Sequence, residues 1–181
     1  MNRFSVFRTV IALFVLTVSG SVFGWDPRAE QSLIDDSKTT IEAFKEKDPT
    51  LQVFFDEAAA YAVYPTVGKG AIVVGGAHGS GLVFENDEII GKSKINQLTI
   101  GLALGAQAYS QIVFFETAGD LADLKKGDVE FAAQASAVAV DARAAADAGY
   151  QKGVAIFTMG KGGLMVEASI GGQTLSFEPV E

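Results

Sequence analysis

The side chains in this sequence that could do chemistry are few and poorly placed to cooperate. The only histidine, His78, stands two residues before Ser80 in Gly75-Gly76-Ala77-His78-Gly79-Ser80-Gly81, and there is no cysteine. A nucleophilic serine needs a base within reach and a sharp strand-to-helix turn to present it. Here the serine is out of register with that elbow, and a strand follows instead of a helix. A lone histidine has no second nitrogen or sulfur ligand with which to share a transition metal. Carboxylates alone would favour calcium or magnesium, but no spaced Asp/Asn loop exists for them. Gly91-Lys92-Ser93 resembles the end of a phosphate-binding loop, yet Asn86 occupies the place of its first glycine. The glycines at 75, 76, 79 and 81 lead into a strand, so no helix N-terminus is available for a pyrophosphate. We assign no catalytic residue, metal ligand or cofactor, and His78 reads as a turn or core-edge residue.

Two lysines remain. Lys69 lies between Gly68 and Gly70, and Lys161 between Gly160 and Gly162. Backbone N–H groups exposed in glycine-rich turns form anion-binding nests, to which a lysine adds a point charge. Lys69-Gly70 and Lys161-Gly162 could therefore converge on a head-group phosphate, with nearby apolar strand ends receiving acyl carbon. Taken singly, each lysine reads first as a solubilising residue at a hairpin tip. Tyr61, Tyr64 and Tyr109 suit either an interfacial belt or, more usually, a core that satisfies their hydroxyls.

The elements that must position these residues begin after a leader. Arg3 and Arg8 precede an apolar run over 10–18, followed by Ser19, Gly20, Ser21 and Gly24. This is the charged–apolar–small order of a secretory signal peptide over residues 1–24, and cleavage before Trp25 is favoured over a retained anchor. The expected location is outside the cytoplasm, in the periplasm ahead of the medium. The whole chain carries −8, and the leader holds two arginines and no acids, so the remainder stands at −10. Such a chain lacks the clustered cations that nucleic acid requires, and an anionic membrane surface is disfavoured unless its cations are grouped.

Residues 25–181 suffice for one domain with a sizeable core. Asp26-Pro27 predicts a helix start. Ile34, Ser37, Ile41, Phe44 and Asp48 then fall at helical spacing. Asp48-Pro49 restarts the pattern, and Leu51, Phe54, Phe55, Ala58, Ala59 and Ala62 predict a second helix that stops before Pro65. Short strands are expected over 71–75, 81–85 and 88–91, with a tight hairpin at Asn86-Asp87. Others are expected over 99–105, 109–116, 154–158, 164–170 and 173–177, with turns at Gly160-Lys161-Gly162-Gly163 and Gly171-Gly172. A short helix is expected over 118–126. Residues 131–148 are ambiguous, alanine favouring helix and alternation favouring strand up to Asp141. The fold class is α+β: two N-terminal amphipathic helices on a mainly antiparallel, glycine-rich sheet or partly closed barrel.

Three segments also resemble a known family. Residues 58–81, with Pro65, Lys69, Gly70, Gly75, Gly76, Gly79 and Gly81, resemble the opening signature of the SYLF lipid-binding domain. Residues 99–115, with Gly101, Gly105, Gln107, Tyr109 and Ser110, are similar to the Gly-x-Gln-x-Gly-Ala-Gln-Ser-Tyr-Ser-Gln segment of its exported bacterial members. Residues 160–172 resemble its final strand, and together the likeness spans about residues 30–181. It implies binding of phospholipid rather than catalysis. Some eukaryotic members also bind actin, which an exported protein does not meet. Their N-terminal helix is basic, whereas residues 27–48 here set Arg28, Lys38, Lys45 and Lys47 against six acids. The expectation is an exported, non-enzymatic phospholipid-binding or envelope-associated module. The alternatives are an envelope structural or partner-binding domain and, more distantly, a hydrolase using His78 and Ser80.

Overall fold

A computed structural model describes residues 27–71, 74–126, 129–131, 138–139 and 144–180. The leader and Asp26 lie outside them, as do residues 132–137 and 140–143 of the ambiguous stretch. Helix α1 spans Pro27–Lys47 and buries Ser37, Thr40 and Phe44 at helical spacing. Asp48 caps a 3-10 turn at Pro49–Leu51 that leads into α2, Gln52–Glu57. The second helix thus ends well before the expected Ala62, and Ala60–Ala71 form strand β1. The alanines of 58–62 carry helix propensity, but Tyr61, Val63, Tyr64 and Val67 prefer a pleated surface, and burial on both faces decides.

Strands β2 (Val74–Glu85) and β3 (Glu88–Phe115) meet at Asn86-Asp87, whose φ values of 51° and 63° make the expected tight turn. Helix α3, Ala118–Lys125, opens on a capping box between Thr117 and Asp120. Strands β4 (Val129–Phe131) and β5 (Val138–Ala139) are short, and β6 runs over Val154–Pro179. Between β5 and β6 a 3-10 turn covers Ala144–Asp147, so the described part of the ambiguous stretch is strand first and helical turn later. The short strands expected on either side of Gly91, Gly105, Gly160 and Gly171 are fused into β3 and β6. Glycine there does not turn the chain. Inside a strand it also marks bulges and close approaches.

The protein is α+β, with a six-stranded sheet that is antiparallel except for the β5–β6 bridge. Strand β1 pairs with β2, β2 with the first half of β3, and β1 with the second half of β3. Because β1 and β2 are themselves antiparallel, the two halves of β3 run in opposite directions around their hairpin. Strand β6 follows β3 along its length, from Gly91↔Pro179 to Phe115↔Val154. Among the described residues the sheet is not closed into a barrel. It is curled nonetheless, because side chains from opposite halves of β3 meet on its inner face. There Tyr64 bonds Ser93 at 2.7 Å, and Tyr64, Val67, Ile95, Val113, Phe115 and Leu175 share a core into which α3 inserts Leu121 and Leu124.

The outer face carries a second core beneath the helices. Phe54 of α2 lies 5.0 Å from Phe157 and 5.5 Å from Phe114, ring centre to ring centre, and Tyr61 stacks on Phe84. Aromatic pairs at these separations add about 0.5–1.5 kcal/mol each beyond simple burial.

Pro65 sits inside β1, flanked by strands on both sides, where a residue without an N–H breaks the ladder. A bulge resolves the conflict. Tyr64 and Pro65 together face Gly81 of β2, while Pro65 and Thr66 face Ser110 of β3. Ser110 donates to the Pro65 carbonyl at 2.8 Å, and Gly79 and Gly81 make room for the displaced backbone. A Cβ on Gly81 would overlap the Val63 carbonyl and lie 2.6 Å from the Tyr64 ring; one on Gly79 would lie 2.7 Å from the Thr66 carbonyl.

The buried phenols make stability sensitive to alkali. Burial, assisted by the charges of Glu116 and Glu57, pushes Tyr150 up to about 12. Burial also raises Tyr64 and, with Asp87 as hydrogen-bond acceptor and nearby charge, Tyr61. The unfolded chain would ionise these groups near pH 10, so their contribution is complete below that pH. It is then lost as pH climbs toward the folded-state values. Urea midpoints are expected to hold up to about pH 9.5 and to fall between about pH 10 and 12, in step with phenolate absorbance.

Candidate functional site

Strand alternation sends successive side chains of β2, β3 and β6 to opposite faces. On the outer face the registers assemble three cross-strand rows. His78, Asn96 and Thr174 form the first, Ser80, Lys94 and Ser176 the second, and Leu82, Lys92 and Glu178 the third. Directly opposed residues have Cβ atoms about 4.5–5.5 Å apart, so the middle row sets a lysine side chain between two serines. Ser176 accepts the Lys94 backbone N–H at 3.2 Å through Oγ, which leaves its own hydroxyl proton to donate. Ser93, on the inner face, donates to the Ser176 carbonyl at 2.6 Å and fixes β6 at that register.

The N-terminal part of α1 overhangs these rows. Glu30 pairs with Lys92 at 2.9 Å, and Leu33 closes one wall. The result is a cleft of about 410 Å³ lined by Leu33, Ser80, Lys92, Lys94, Ser176 and Glu178 among others. The charge of Lys92 is met by Glu30. Lys94 has no carboxylate within ion-pair distance among the described residues. A lysine with a serine on each neighbouring strand and a leucine on the facing wall can accept an oxyanion that carries an apolar tail.

The residues singled out by sequence are distributed differently. Lys69 and Lys161 lie within strands, not on turns. Lys161 is the extra residue of a bulge, since Tyr109 pairs with Gly160 and Ala108 with Gly162, and its Nζ reaches Thr66 Oγ1 at 3.0 Å. Alternation from Val67 puts Lys69 on the inner face and Thr66 on the outer one. The two lysines therefore do not converge on one phosphate. Gly70 opposes Gly76 and Ala106, and Gly75 faces Thr99. Gly101 and Gly105 fall in the middle of β3, opposite Ser169 and Met165.

Tyr61, Tyr64 and Tyr109 are core rings, 5%, 0% and 9% exposed. His78 is exposed in mid-strand, neither in a turn nor at the core edge. Its Nδ1 lies 2.8 Å from Asn96 Oδ1, an acceptor that requires the proton on Nδ1. Among the described residues its hydrogen-bond partner is Asn96, not Ser80 or a carboxylate.

Gln107 and Tyr109 lead into an interior polar cluster. Fully buried Gln111 exchanges amide hydrogen bonds with Gln173 at 3.1 and 3.4 Å; Gln173 also donates to Gln97 at 3.4 Å, and Tyr109 points at the same oxygen from 3.5 Å. These bonds cross the inside of the curl. Lys94 and Gln97 fall in the gap between the expected strands 88–91 and 99–105, and Gln173 and Ser176, though inside the expected strand 173–177, meet them only through the register of β3 with β6. No local pattern announces the segment: Ile95 is the one apolar residue of Lys92-Ser93-Lys94-Ile95-Asn96-Gln97, too few for a period-2 signal.

Comparison with known proteins adds no identification: the chain matches no protein-family model and no curated protein.

Proposed function

We propose that this chain is an exported, non-enzymatic module that binds phospholipid at the cell envelope, of the SYLF type its three segments resemble. The cleft under α1 is the observation that carries the reading. It joins a lysine without a carboxylate partner among the described residues, a serine on each neighbouring strand and a leucine wall in one space of about 410 Å³. A head-group phosphate suits the Ser80–Lys94–Ser176 row, and the start of an acyl or glycerol chain suits Leu33. The site thus belongs to Lys94 rather than to Lys69 and Lys161. Among the described residues Ser80 has no histidine or carboxylate partner, and His78 spends its contact on Asn96, which supports binding over turnover.

Vesicle flotation of the chain beginning at Trp25 tests the proposal. Lys94→Ala is expected to weaken association about tenfold, the value of one charge-assisted contact. Lys69→Ala is expected to leave it unchanged. Full binding by Lys94→Ala would overturn the placement, and failure of the parent chain to bind any vesicle would overturn the function.

A second reading, an envelope partner-binding domain without lipid specificity, draws on Leu98. This outward residue of β3 is 63% exposed beyond the His78 row. Undiminished capture of an envelope protein by a chain that ignores vesicles would select it.

A further inference from the structure

The charges of the cleft cancel. Lys92, Lys94 and Glu178 line it, Glu30 of α1 supplies the balancing charge through its pair with Lys92, and the charges are not mixed evenly. Glu30 takes Lys92 at 2.9 Å. Lys94 stands one row away between Ser80 and Ser176, and exposed Glu178 stands opposite Lys92 at the outer end of β6. Adjacent rows on one face are two residues apart, or about 6.7 Å along the strand. The cleft therefore presents a cationic place beside two serines and, one row on, the Glu178 carboxylate opposite a lysine that α1 already engages. A purely anionic ligand would gain at Lys94 and be repelled at Glu178. A ligand with a phosphate and an ammonium a few bonds apart meets a complementary partner at both.

We propose that the cleft selects a zwitterionic phospholipid head group bearing a primary amine. Its phosphate lies on the Ser80–Lys94–Ser176 row and its ammonium donates to the Glu178 carboxylate. This rests on the lipid-binding reading above and specifies the head group. It also fits the whole molecule. The chain beginning at Trp25, at −10, is repelled by an anionic bilayer, whereas a net-neutral cleft lets it approach a zwitterionic one without that cost.

The test floats the parent chain, Glu178→Gln and Lys94→Ala with three vesicles: phosphatidylcholine alone, phosphatidylcholine with phosphatidylethanolamine, and phosphatidylcholine with phosphatidylglycerol. The parent is expected to prefer the ethanolamine vesicles. Glu178→Gln, an exposed change that leaves the cores untouched, is expected to lose that preference about tenfold while gaining on the glycerol vesicles, where a repulsive carboxylate has been removed. Lys94→Ala is expected to weaken binding to both phosphatidylethanolamine and phosphatidylglycerol. Soluble glycerophosphoethanolamine is expected to compete, which locates recognition in the head group rather than the acyl region. Parent binding that favours phosphatidylglycerol, or an ethanolamine preference that survives Glu178→Gln, overturns the zwitterion assignment and leaves lipid binding standing. Failure of the parent to bind all three vesicles overturns both.

Discussion

Gly81→Ala is expected to cost about 3 kcal/mol of stability, enough to leave a domain of this size marginal or insoluble. The added methyl would collide with the Val63 carbonyl and the buried Tyr64 ring, neither of which can yield. Tyr64 is 0% exposed and held by Ser93, and Val63 belongs to the bulge that accommodates Pro65 between two strands. Gly79→Ala meets the Thr66 carbonyl at 2.7 Å in the same bulge and is expected to be nearly as damaging. Gly68→Ala is the control. It lies in the same strand as Pro65, but an added Cβ there meets nothing within 4 Å. Its midpoint in urea should shift by less than the equivalent of about 1 kcal/mol, with a gain allowed because alanine is the better strand residue. Equal midpoints for Gly81→Ala and Gly68→Ala would show that the bulge does not need its glycines.

Asp48→Ala is expected to be the second most destabilising change, by about 3 kcal/mol. Asp48 is fully buried at the corner between α1 and α2. One carboxylate oxygen accepts the Thr50 N–H at 2.9 Å and the Thr50 hydroxyl, and the other accepts the Ala145 N–H at 2.8 Å. That last bond ties residues 97 positions apart and fixes the 3-10 turn before β6 against the helical corner. Removing the side chain leaves buried N–H donors unpaired, each at about 1–3 kcal/mol. Asp48→Asn keeps the shape and one acceptor, so it should fall between Asp48→Ala and the parent. Protease cleavage at 144–147 should accelerate in the order parent, Asn, Ala. Uniform cleavage across the three would separate the corner from the turn.

The elements whose signals are local were legible in the sequence. The helical spacing of Ser37, Ile41, Phe44 and Asp48, the Asn86-Asp87 turn and the helix after Thr117 follow from residues within one or two turns of each other. Beyond that range the sequence gives turn-like and strand-like signals that only tertiary pairing can arbitrate. Gly91 illustrates this. It resembles a strand terminus, but a Cβ there would overlap the Phe177 ring, a neighbour 86 positions away that no local pattern announces. The matching glycine flanks of Lys69 and Lys161 suggest a converging pair. Alternation through the β1 bulge instead gives them opposite faces. The cleft was illegible for the same reason, since Ser80, Lys94 and Ser176 come from three strands and meet only through register.

The pairing of β3 with β6 also governs when the fold can form. Ser93 and Ser176, hydrogen-bonded across that ladder, are 83 residues apart, and the last paired position is Pro179. Contacts of such sequence separation are made late, because the loop between them must be closed before they contribute any stability. A chain still missing its C-terminal segment has β3 with an open edge over both halves and cannot complete either core. Leu175, Phe157 and Val154 all come from β6. Under the proposed export, a chain threaded N-terminus first cannot complete its fold until β6 has emerged. On that reading the long strand is a timer as well as a scaffold, and it places the last step of folding on the far side of the membrane.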